Sequence, residues 1–378
     1  MAEIGVGIIG TGFMGKAHAL AYRTAASLFP LRDRPVLEIV ADNDRAGAER
    51  LSQSFGFRRM TEDWHEVVSD PAVRIVSIAT PNALHREMAL AAIAAGKHVH
   101  CEKPLAQTEP EAREMVHAAE TSGVCTQVGY NYLKNPLLAL AREMIGRGEL
   151  GEITGFRGIH AEDYMADPAA PFTWRLDAGG AGVLGDLGSH IIGLARFLLG
   201  PILAVIADLD TVVKERPVAR GSGERRPVTV DDIARLTVRF ARGAGGTIEA
   251  SWVTTGRTMQ LGFEISGTKG ALAFTQERMN ELLFYSAAEL RSRRGFVRIE
   301  AGPEHPPYGL FCPAPGHQLG FNDLKTIEVA DFLQAIEGRP AKGPDFREGW
   351  EIQKVVETAL RSARARTWLP VPRNSNAN

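Results

Sequence analysis

Val6-Gly7-Ile8-Ile9-Gly10-Thr11-Gly12-Phe13-Met14-Gly15 opens the chain and decides its fold. A short apolar run ends in Gly-x-Gly-x-x-Gly and passes into Lys16-Ala17-His18-Ala19-Leu20-Ala21-Tyr22, which reads as a helix. Strand, glycine turn and helix, in that order, are the context in which this pattern binds a dinucleotide. Gly10 permits the tight turn, Gly12 lets a pyrophosphate approach the backbone, and Gly15 brings helix and strand together. The unpaired N–H groups and positive end of the helix then face the phosphates. Thr11, Phe13 and Met14 complete the turn and join the three glycines as cofactor-binding candidates.

The helix fades near Phe29-Pro30, and a loop with Asp33 and Pro35 leads to a second strand, Val36-Leu37-Glu38-Ile39-Val40-Ala41, ending in Asp42. A dinucleotide fold places an acidic residue at this strand's end, where it accepts from the ribose hydroxyls of the adenosine. Asp33 better fits the usual offset of about 20 residues from the glycines, but it precedes the strand. Asp42 stands at the strand's end and is the candidate. Its carboxylate repels a 2′-phosphate and so favours NAD; Arg45 nearby keeps NADP open. A turn or helix-capping role for Asp42 is the alternative.

Farther on, strand Val73–Ala79 ends in Thr80-Pro81-Asn82, helix Ala83–Ala95 stops at Gly96, and strand Lys97–Cys101 leads into Glu102-Lys103-Pro104. This alternation predicts an α/β unit over residues 1–128, a Rossmann-type doubly wound parallel sheet. Ligands bind beyond the carboxyl ends of such strands. Thr80, Pro81, Asn82, Glu102 and Lys103 should therefore line one crevice with Gly10–Gly15. His98 and His100 share one face of their strand and Cys101 points to the other, so they read as packed residues rather than metal ligands.

At 378 residues the chain is too long for one typical core. Its 44% hydrophobic and 23% charged residues are those of an ordinary soluble protein. The net charge of −2, without blocks of like charge, points to neither a nucleic-acid nor an anionic-membrane partner. No apolar run approaches the ~20 residues that span a bilayer, and the N-terminus lacks the pattern of a signal peptide. Cys101, Cys125 and Cys312 have no ligand spacing, which fits reduced thiols in a cytoplasmic protein.

The sequence resembles the Gfo/Idh/MocA oxidoreductase family, which includes inositol and sugar dehydrogenases. The likeness is carried by the glycine turn, by Ala79-Thr80-Pro81-Asn82 with His85, and by Ala95 to Leu105 around Glu102-Lys103-Pro104. It continues through Gly129-Tyr130-Asn131-Tyr132 with Pro136, and Gly179-Gly180 followed by Asp186-Leu187-Gly188-Ser189-His190. It implies that His85 belongs to the cofactor site and that Lys103, before a commonly cis proline, lies beside the nicotinamide and the reacting carbon. An ammonium there hydrogen-bonds the substrate oxygen and stabilises charge as a hydroxyl loses its proton.

Residues 129–378 are expected to form a substrate-binding and oligomerisation α+β domain. Helices over Leu137–Ile145 and Val183–Leu199 precede strands Leu203–Leu209, Ile233–Phe240, Thr247–Val253, Gln260–Ser266, Ala271–Thr275 and Leu282–Tyr285. Their alternation predicts a large, mainly antiparallel sheet with one covered face. Arg216–Arg226 reads as an exposed loop, and Asp323 as the cap of a helix from about Leu324 to Ile336. Asp186 and His190, four apart, share a helix face, and by resemblance His190 is the general base while Asp186 accepts from a substrate hydroxyl. Which of Lys103 and His190 takes the proton first stays open. His317 is a substrate-contact candidate because its region approaches the sugar in relatives, and Glu162-Asp163-Tyr164 with Trp174-Arg175 is similar to family members acting on anhydrosugars.

Two positions depart from the family pattern: Gly193 stands where many relatives have aspartate, and Leu133 where many have arginine. The expected function is oxidation of a secondary hydroxyl of a cyclitol or pyranose sugar by NAD, in a homo-oligomer (dimer or tetramer). Its rivals are an NADP-dependent reductase of a keto sugar or dicarbonyl, and a non-catalytic dinucleotide sensor.

Overall fold

A computed structural model describes residues 2–177 and 179–373. The chain divides into two compact units. The first holds the residues up to Lys134 together with Gly309–Pro313 and Leu319–Glu351. The second holds Asn135–Tyr308, Ala314–Gln318 and the chain from Ile352.

In the first unit β1 (Ala2–Ile9), α1 (Phe13–Leu28), β2 (Asp33–Ala41), α2 (Arg45–Phe55), β3 (Arg59–Thr61) and α3 (Trp64–Ser69) come first. Then follow β4 (Val73–Ile78), α4 (His85–Ala94), β5 (His98–Cys101), α5 (Glu109–Ser122) and β6 (Thr126–Val128). The strands make one six-stranded sheet, order β3-β2-β1-β4-β5-β6, with every pair parallel. Val73, Ile75, Val76 and Ile78 of β4 are all buried, the near-continuous apolar run of a strand covered on both faces.

The glycine turn locks the centre of this sheet. Gly10 has φ +101°, and a Cβ there would stand 2.6 Å from the Ala79 carbonyl oxygen. A Cβ on Gly15 would stand 2.0 Å from the Gly10 oxygen. Gly10 N–H donates to Ala41 O, Ala79 N–H to Ile9 O and Glu102 N–H to Ile78 O, at 2.8, 2.8 and 2.9 Å. The carboxyl ends of β1, β2, β4 and β5 are thus side by side.

The second unit begins with α6 (Pro136–Gly146), β7 (Ile153–Ala161) and α7 (Ser189–Leu199). Strands β8 (Ile202–Asp210), β9 (Glu215–Pro217), β10 (Arg225–Pro227), β11 (Ile233–Phe240), β12 (Gly245–Ser251) and β13 (Gln260–Gly267) follow. The run closes with β14 (Gly270–Thr275), β15 (Glu281–Ser286) and β16 (Val297–Glu300). After α8 (Phe321–Ile336) and α9 (Phe346–Ala365), β17 (Leu369–Pro370) completes a nine-stranded sheet, order β16-β15-β14-β13-β7-β12-β11-β8-β17. Its pairs are antiparallel except β7 with β12. Along β11, Ala234, Leu236, Val238 and Phe240 are buried while Arg235, Thr237 and Arg239 are exposed, so one face is covered and one open.

Four expectations need correction. The chain after residue 128 is not one body: α8 returns to the first unit and packs on α1. Apolar periodicity marks a buried helix without saying which body buries it. That helix starts earlier than expected, with Gly320 as its cap residue, and Asp323, at the third helical position, accepts the Gly320 N–H at 2.7 Å. The stretch Arg216–Arg226 is framed by a hairpin, β9 against β10, with Arg216 fully buried and its guanidinium donating to the Met165 and Asp167 carbonyls. Finally, Val183–Leu199 is not a regular α-helix, because Leu184–Gly188 forms a π-helical turn ahead of α7.

Asp231 anchors that turn. Its Oδ2 accepts the Leu184 N–H at 2.8 Å, its carbonyl accepts the Val183 N–H, and a Cβ on Gly182 (φ +62°) would collide with its Oδ1. Burial pushes the Asp231 carboxyl up to about 6, with the neighbouring Asp232 charge adding to it. Between the ordinary aspartate value and 6 the folded chain holds a proton that the unfolded chain has released. The contribution is therefore complete at low pH and lost as pH rises through 6. Asp231→Asn keeps an oxygen for Leu184 without the buried charge. The Tm difference, variant minus wild type, should be larger at about pH 7.5 than at about pH 5; equal differences would show that this carboxyl does not titrate there.

Candidate active site

Beyond the strand ends of the first unit, Gly12 is the last residue before α1, and its helix end has no side-chain cap and no acidic residue in the first turn. The leading N–H groups are the orphan donors of any helix start, here left to face an anion. Among the described residues nothing lies within 4 Å of where a Gly12 Cβ would be, unlike at Gly10 and Gly15. The missing side chain at Gly12 therefore answers no need of the protein's own packing. Space beside uncapped helical donors is what a pyrophosphate requires, and the residues present fit a dinucleotide. Phe13 is exposed and sits 5.2 Å, ring to ring, from Phe321 of α8, with Met14 half-buried behind it.

Asp42 stands at the end of β2, as expected, and grips the turn itself. Its Oδ2 accepts from the Thr11 N–H at 2.7 Å and the Thr11 hydroxyl at 2.6 Å, while Oδ1 accepts the Asp44 N–H at 2.9 Å. Asp44, not Asp42, is the cap residue of α2. Arg45 is paired with Glu62 at 3.0 Å.

At the end of β4, Thr80 is half-buried and Pro81 exposed, whereas both amide atoms of Asn82 are buried without a hydrogen-bond partner among the described residues. His85, expected at the cofactor, is 1% exposed. Its ring nitrogens lie 2.9 Å from Pro104 O and 3.0 Å from Thr80 O, so it braces the two loops from beneath. Burial lowers its pKa, the carbonyls opposing. The Lys103–Pro104 peptide is cis and Lys103 is half-buried. Glu102 does not line the crevice but turns inward: Oε1 meets His18 Nε2 and Lys325 Nζ, each at 2.8 Å, and Oε2 accepts the Lys103 N–H at 3.3 Å. A one-strand reading cannot show this, because the groups that draw Glu102 inward come from α1 and α8.

In the second unit the π-helical turn carries Asp186, and His190 follows in the first turn of α7. Asp186 Oδ2 accepts from the Tyr164 hydroxyl at 3.1 Å and Arg175 Nε at 3.3 Å. The Arg175 guanidinium also lies 4.5 Å over the Trp174 ring. Tyr164 keeps part of its ring exposed, but the desolvated hydroxyl end beside the Asp186 carboxylate has its pKa pushed up. His190 is 6% exposed and meets His160 edge-on at 5.5 Å; His160 in turn lies 2.9 Å from Leu187 O and 3.1 Å from Glu162 Oε1. His317 sits on an exposed turn between Gly316 (φ +89°) and Gln318 (φ +64°), its Nδ1 at 3.2 Å from Ala314 O. The broad groove on the open sheet face, lined among others by Arg157, Arg235, Glu249 and Glu264, contains none of these residues.

Tyr164 and Arg175 as partners of Asp186, and His160 beside His190, carry no signal at a fixed spacing. Lys325 and Glu328 do: they stand three apart, with Asp331 three further on, in the otherwise largely apolar run from Leu324 to Leu333. Among the described residues no group of three His, Cys, Asp or Glu is placed to hold a metal ion, and no helix is long and apolar enough to cross a membrane.

Residues 4–130 match the model of an oxidoreductase family with an NAD-binding Rossmann fold, Gfo/Idh/MocA, and residues 138–273 match the GFO/IDH/MocA C-terminal domain. The levoglucosan dehydrogenase of Pseudarthrobacter phenanthrenivorans is 39% identical over 389 residues, covering 99% of this chain and all of that protein. A solved structure of levoglucosan dehydrogenase in complex with NADH and levoglucosan superposes with a TM-score of 0.94 at 40% identity, over 98% of this chain and 100% of the other. The scyllo-inositol 2-dehydrogenase (NAD(+)) of Bacillus subtilis is 27% identical over 338 residues, 88% of this chain and 86% of that one. The chain belongs to the Gfo/Idh/MocA family of oxidoreductases, and its residues 4–130 are the NAD-binding Rossmann fold of that family.

Proposed function

We propose that the protein oxidises a secondary ring hydroxyl of a pyranose sugar or cyclitol to the ketone with NAD, and that an anhydrosugar is the favoured substrate. The observation that carries this reading is Asp186, held through one oxygen by Tyr164 and Arg175 on the turn that leads into His190. A fixed carboxylate suits a substrate hydroxyl as donor, and the part-exposed rings of Tyr164 and Trp174 offer apolar faces of the kind that pack on a sugar's C–H face. Full-length likeness to a levoglucosan dehydrogenase supports the anhydrosugar, and likeness to an inositol dehydrogenase supports the wider polyol class.

Gly10, Thr11, Gly12, Phe13, Met14 and Gly15 with Asp42 and Asn82 would hold the dinucleotide, and Thr80, Pro81 and Lys103 would flank it. When bound, the nicotinamide supplies the hydride acceptor. His190 accepts the hydroxyl proton at a ring nitrogen, and the Lys103 ammonium is suited to stabilise an oxygen on which negative charge develops. Asp186 orients the ring through a second hydroxyl, and His317 adds a contact. His85 and Glu102 act beneath the surface, on the loops. The Asp42 carboxylate and the engagement of Arg45 by Glu62 support NAD over NADP. The sparse cysteines, Cys101, Cys125 and Cys312, without ligand spacing, accord with a cytoplasmic setting, and the open sheet face accords with a homo-oligomer, dimer or tetramer.

Three measurements test this. Gly12→Ala should fold with nearly wild-type Tm but lose NAD affinity, whereas Gly15→Ala should lower the Tm; a Gly12→Ala protein that binds NAD normally would refute the pyrophosphate site. NADH production across a panel of anhydrosugars, glucose isomers and inositols should identify a turned-over polyol, with weaker activity on NADP. Rates only with NADP, or none on the panel, would overturn the proposal. Lys103→Ala and His190→Ala should each cut kcat roughly 100-fold or more with NAD binding intact, and near wild-type turnover in either variant removes that residue's role.

A further inference from the structure

A chain of ionisable side chains that takes no part in the proposed reaction is sealed inside the first unit. Lys325 of α8 donates from Nζ to Glu102 Oε1 at 2.8 Å and to Glu328 Oε1 at 2.6 Å. Glu102 Oε1 also meets His18 Nε2 at 2.8 Å, and His18 Nδ1 lies 2.6 Å from the Ser77 hydroxyl. Glu328 Oε1 meets His100 Nε2 at 3.0 Å, and the His18 and His100 rings stack with centroids 4.4 Å apart. Tyr22 approaches His100 Nδ1 at 3.4 Å. His18, His100, Lys325 and Glu328 are wholly buried and Glu102 is 5% exposed.

Well-packed apolar side chains would stabilise such a core as well or better, because each ion loses its water. The arrangement therefore calls for a reason other than stability. Its geometry supplies one. His100 and Glu102 are two apart in the chain at the end of β5, and both are fastened to the same turn of α8, Glu328 taking the first and Lys325 the second. The next residue is Lys103, whose N–H donates to the other oxygen of Glu102.

We propose that Lys325, assisted by Glu328, is a positioning residue for Lys103: it pins the Glu102 carboxylate inward, and Glu102 fixes the backbone from which the Lys103 side chain springs. The inference rests on the role proposed above for Lys103. The electrostatics agree with it. Burial alone would raise the Glu102 carboxyl, but the Lys325 charge and the His18 hydrogen bond hold it well below the usual carboxylate range. Burial, then the Lys325 and His100 charges, lower His18 to about 4, so at neutral pH Lys325 is the cation that Glu102 faces and His18 a neutral partner.

The test is a double-mutant cycle on the full-length protein with NAD and the best sugar of the panel. Lys325→Met should lower kcat roughly 10- to 100-fold, the loss that a misplaced catalytic group produces, while NAD affinity changes less than about 3-fold. In a Lys103→Ala background the same substitution should change the residual rate less than about 2-fold, because a residue acting through Lys103 has nothing left to act on. Hydrogen exchange of the Lys103 amide should quicken at least about 10-fold in Lys325→Met while strand β1 stays protected. Equal losses in both backgrounds, or an unchanged amide, overturn the inference and leave the proposed role of Lys103 standing. Wild-type turnover in Lys103→Ala overturns that role instead. Should Lys325→Met fail to fold, Glu328→Gln keeps the shape of the site and is read in the same way, and an unchanged kcat and amide there overturn the inference.

Discussion

Everything in the first unit depends on how closely three stretches of backbone meet at the glycine turn. With the Gly10 position 2.6 Å from the Ala79 carbonyl and the Gly15 position 2.0 Å from the Gly10 carbonyl, neither site has room for a single methyl group. That approach seats α1 against β1 and β4 and sets the ends of four strands abreast. The helix then presents uncapped donors at the mouth of the sheet. Asp42 holds the loop in place by taking both the N–H and the hydroxyl of Thr11 on one oxygen. The same residues thus build the turn and leave an opening at Gly12, where the protein's own atoms make no demand.

The second unit reaches a comparable end by different means. Its sheet provides a broad support with one covered face, and the candidate residues stand where helical regularity is relaxed. A π-helical turn is a costly local choice that recurs at functional positions. Here Asp231 stabilises its entry, and Tyr164 and Arg175 fix the carboxylate it carries. Arg216, reaching from a hairpin to the carbonyls of Met165 and Asp167, steadies the segment from which Tyr164 extends.

Much of this was legible in the sequence because it depends on local rules. Glycine spacing and period-two alternation point to the parallel and the antiparallel sheet, and the end of the second strand is legible enough to place Asp42 there. What escaped depends on side chains far apart in sequence. Glu102 was expected at the crevice because a strand end points there, yet Lys325, more than two hundred residues away, draws it inside. Resemblance assigns His85 to the cofactor, and only the carbonyls on both sides of its ring reveal a brace. Arg216 lay in a stretch whose composition signals exposure, and a buried guanidinium satisfied by backbone carbonyls leaves no compositional trace. Periodicity likewise ran smoothly through residues 183–199, since one extra residue in a turn barely disturbs an apolar pattern.

The return of α8 has a consequence for how the molecule comes into being. The parallel sheet is complete in sequence at Val128, but the ammonium that Glu102 faces lies on a helix that ends at Ile336. On the ribosome, a nascent chain holding all six strands still has the Glu102 carboxylate in its interior awaiting its ammonium counter-charge. Compaction of the nucleotide-binding unit is thereby tied to synthesis of the unit inserted within it. The chain is two bodies in space but one in order of assembly, and a gene fragment cut after the last parallel strand would encode a sheet without its keystone.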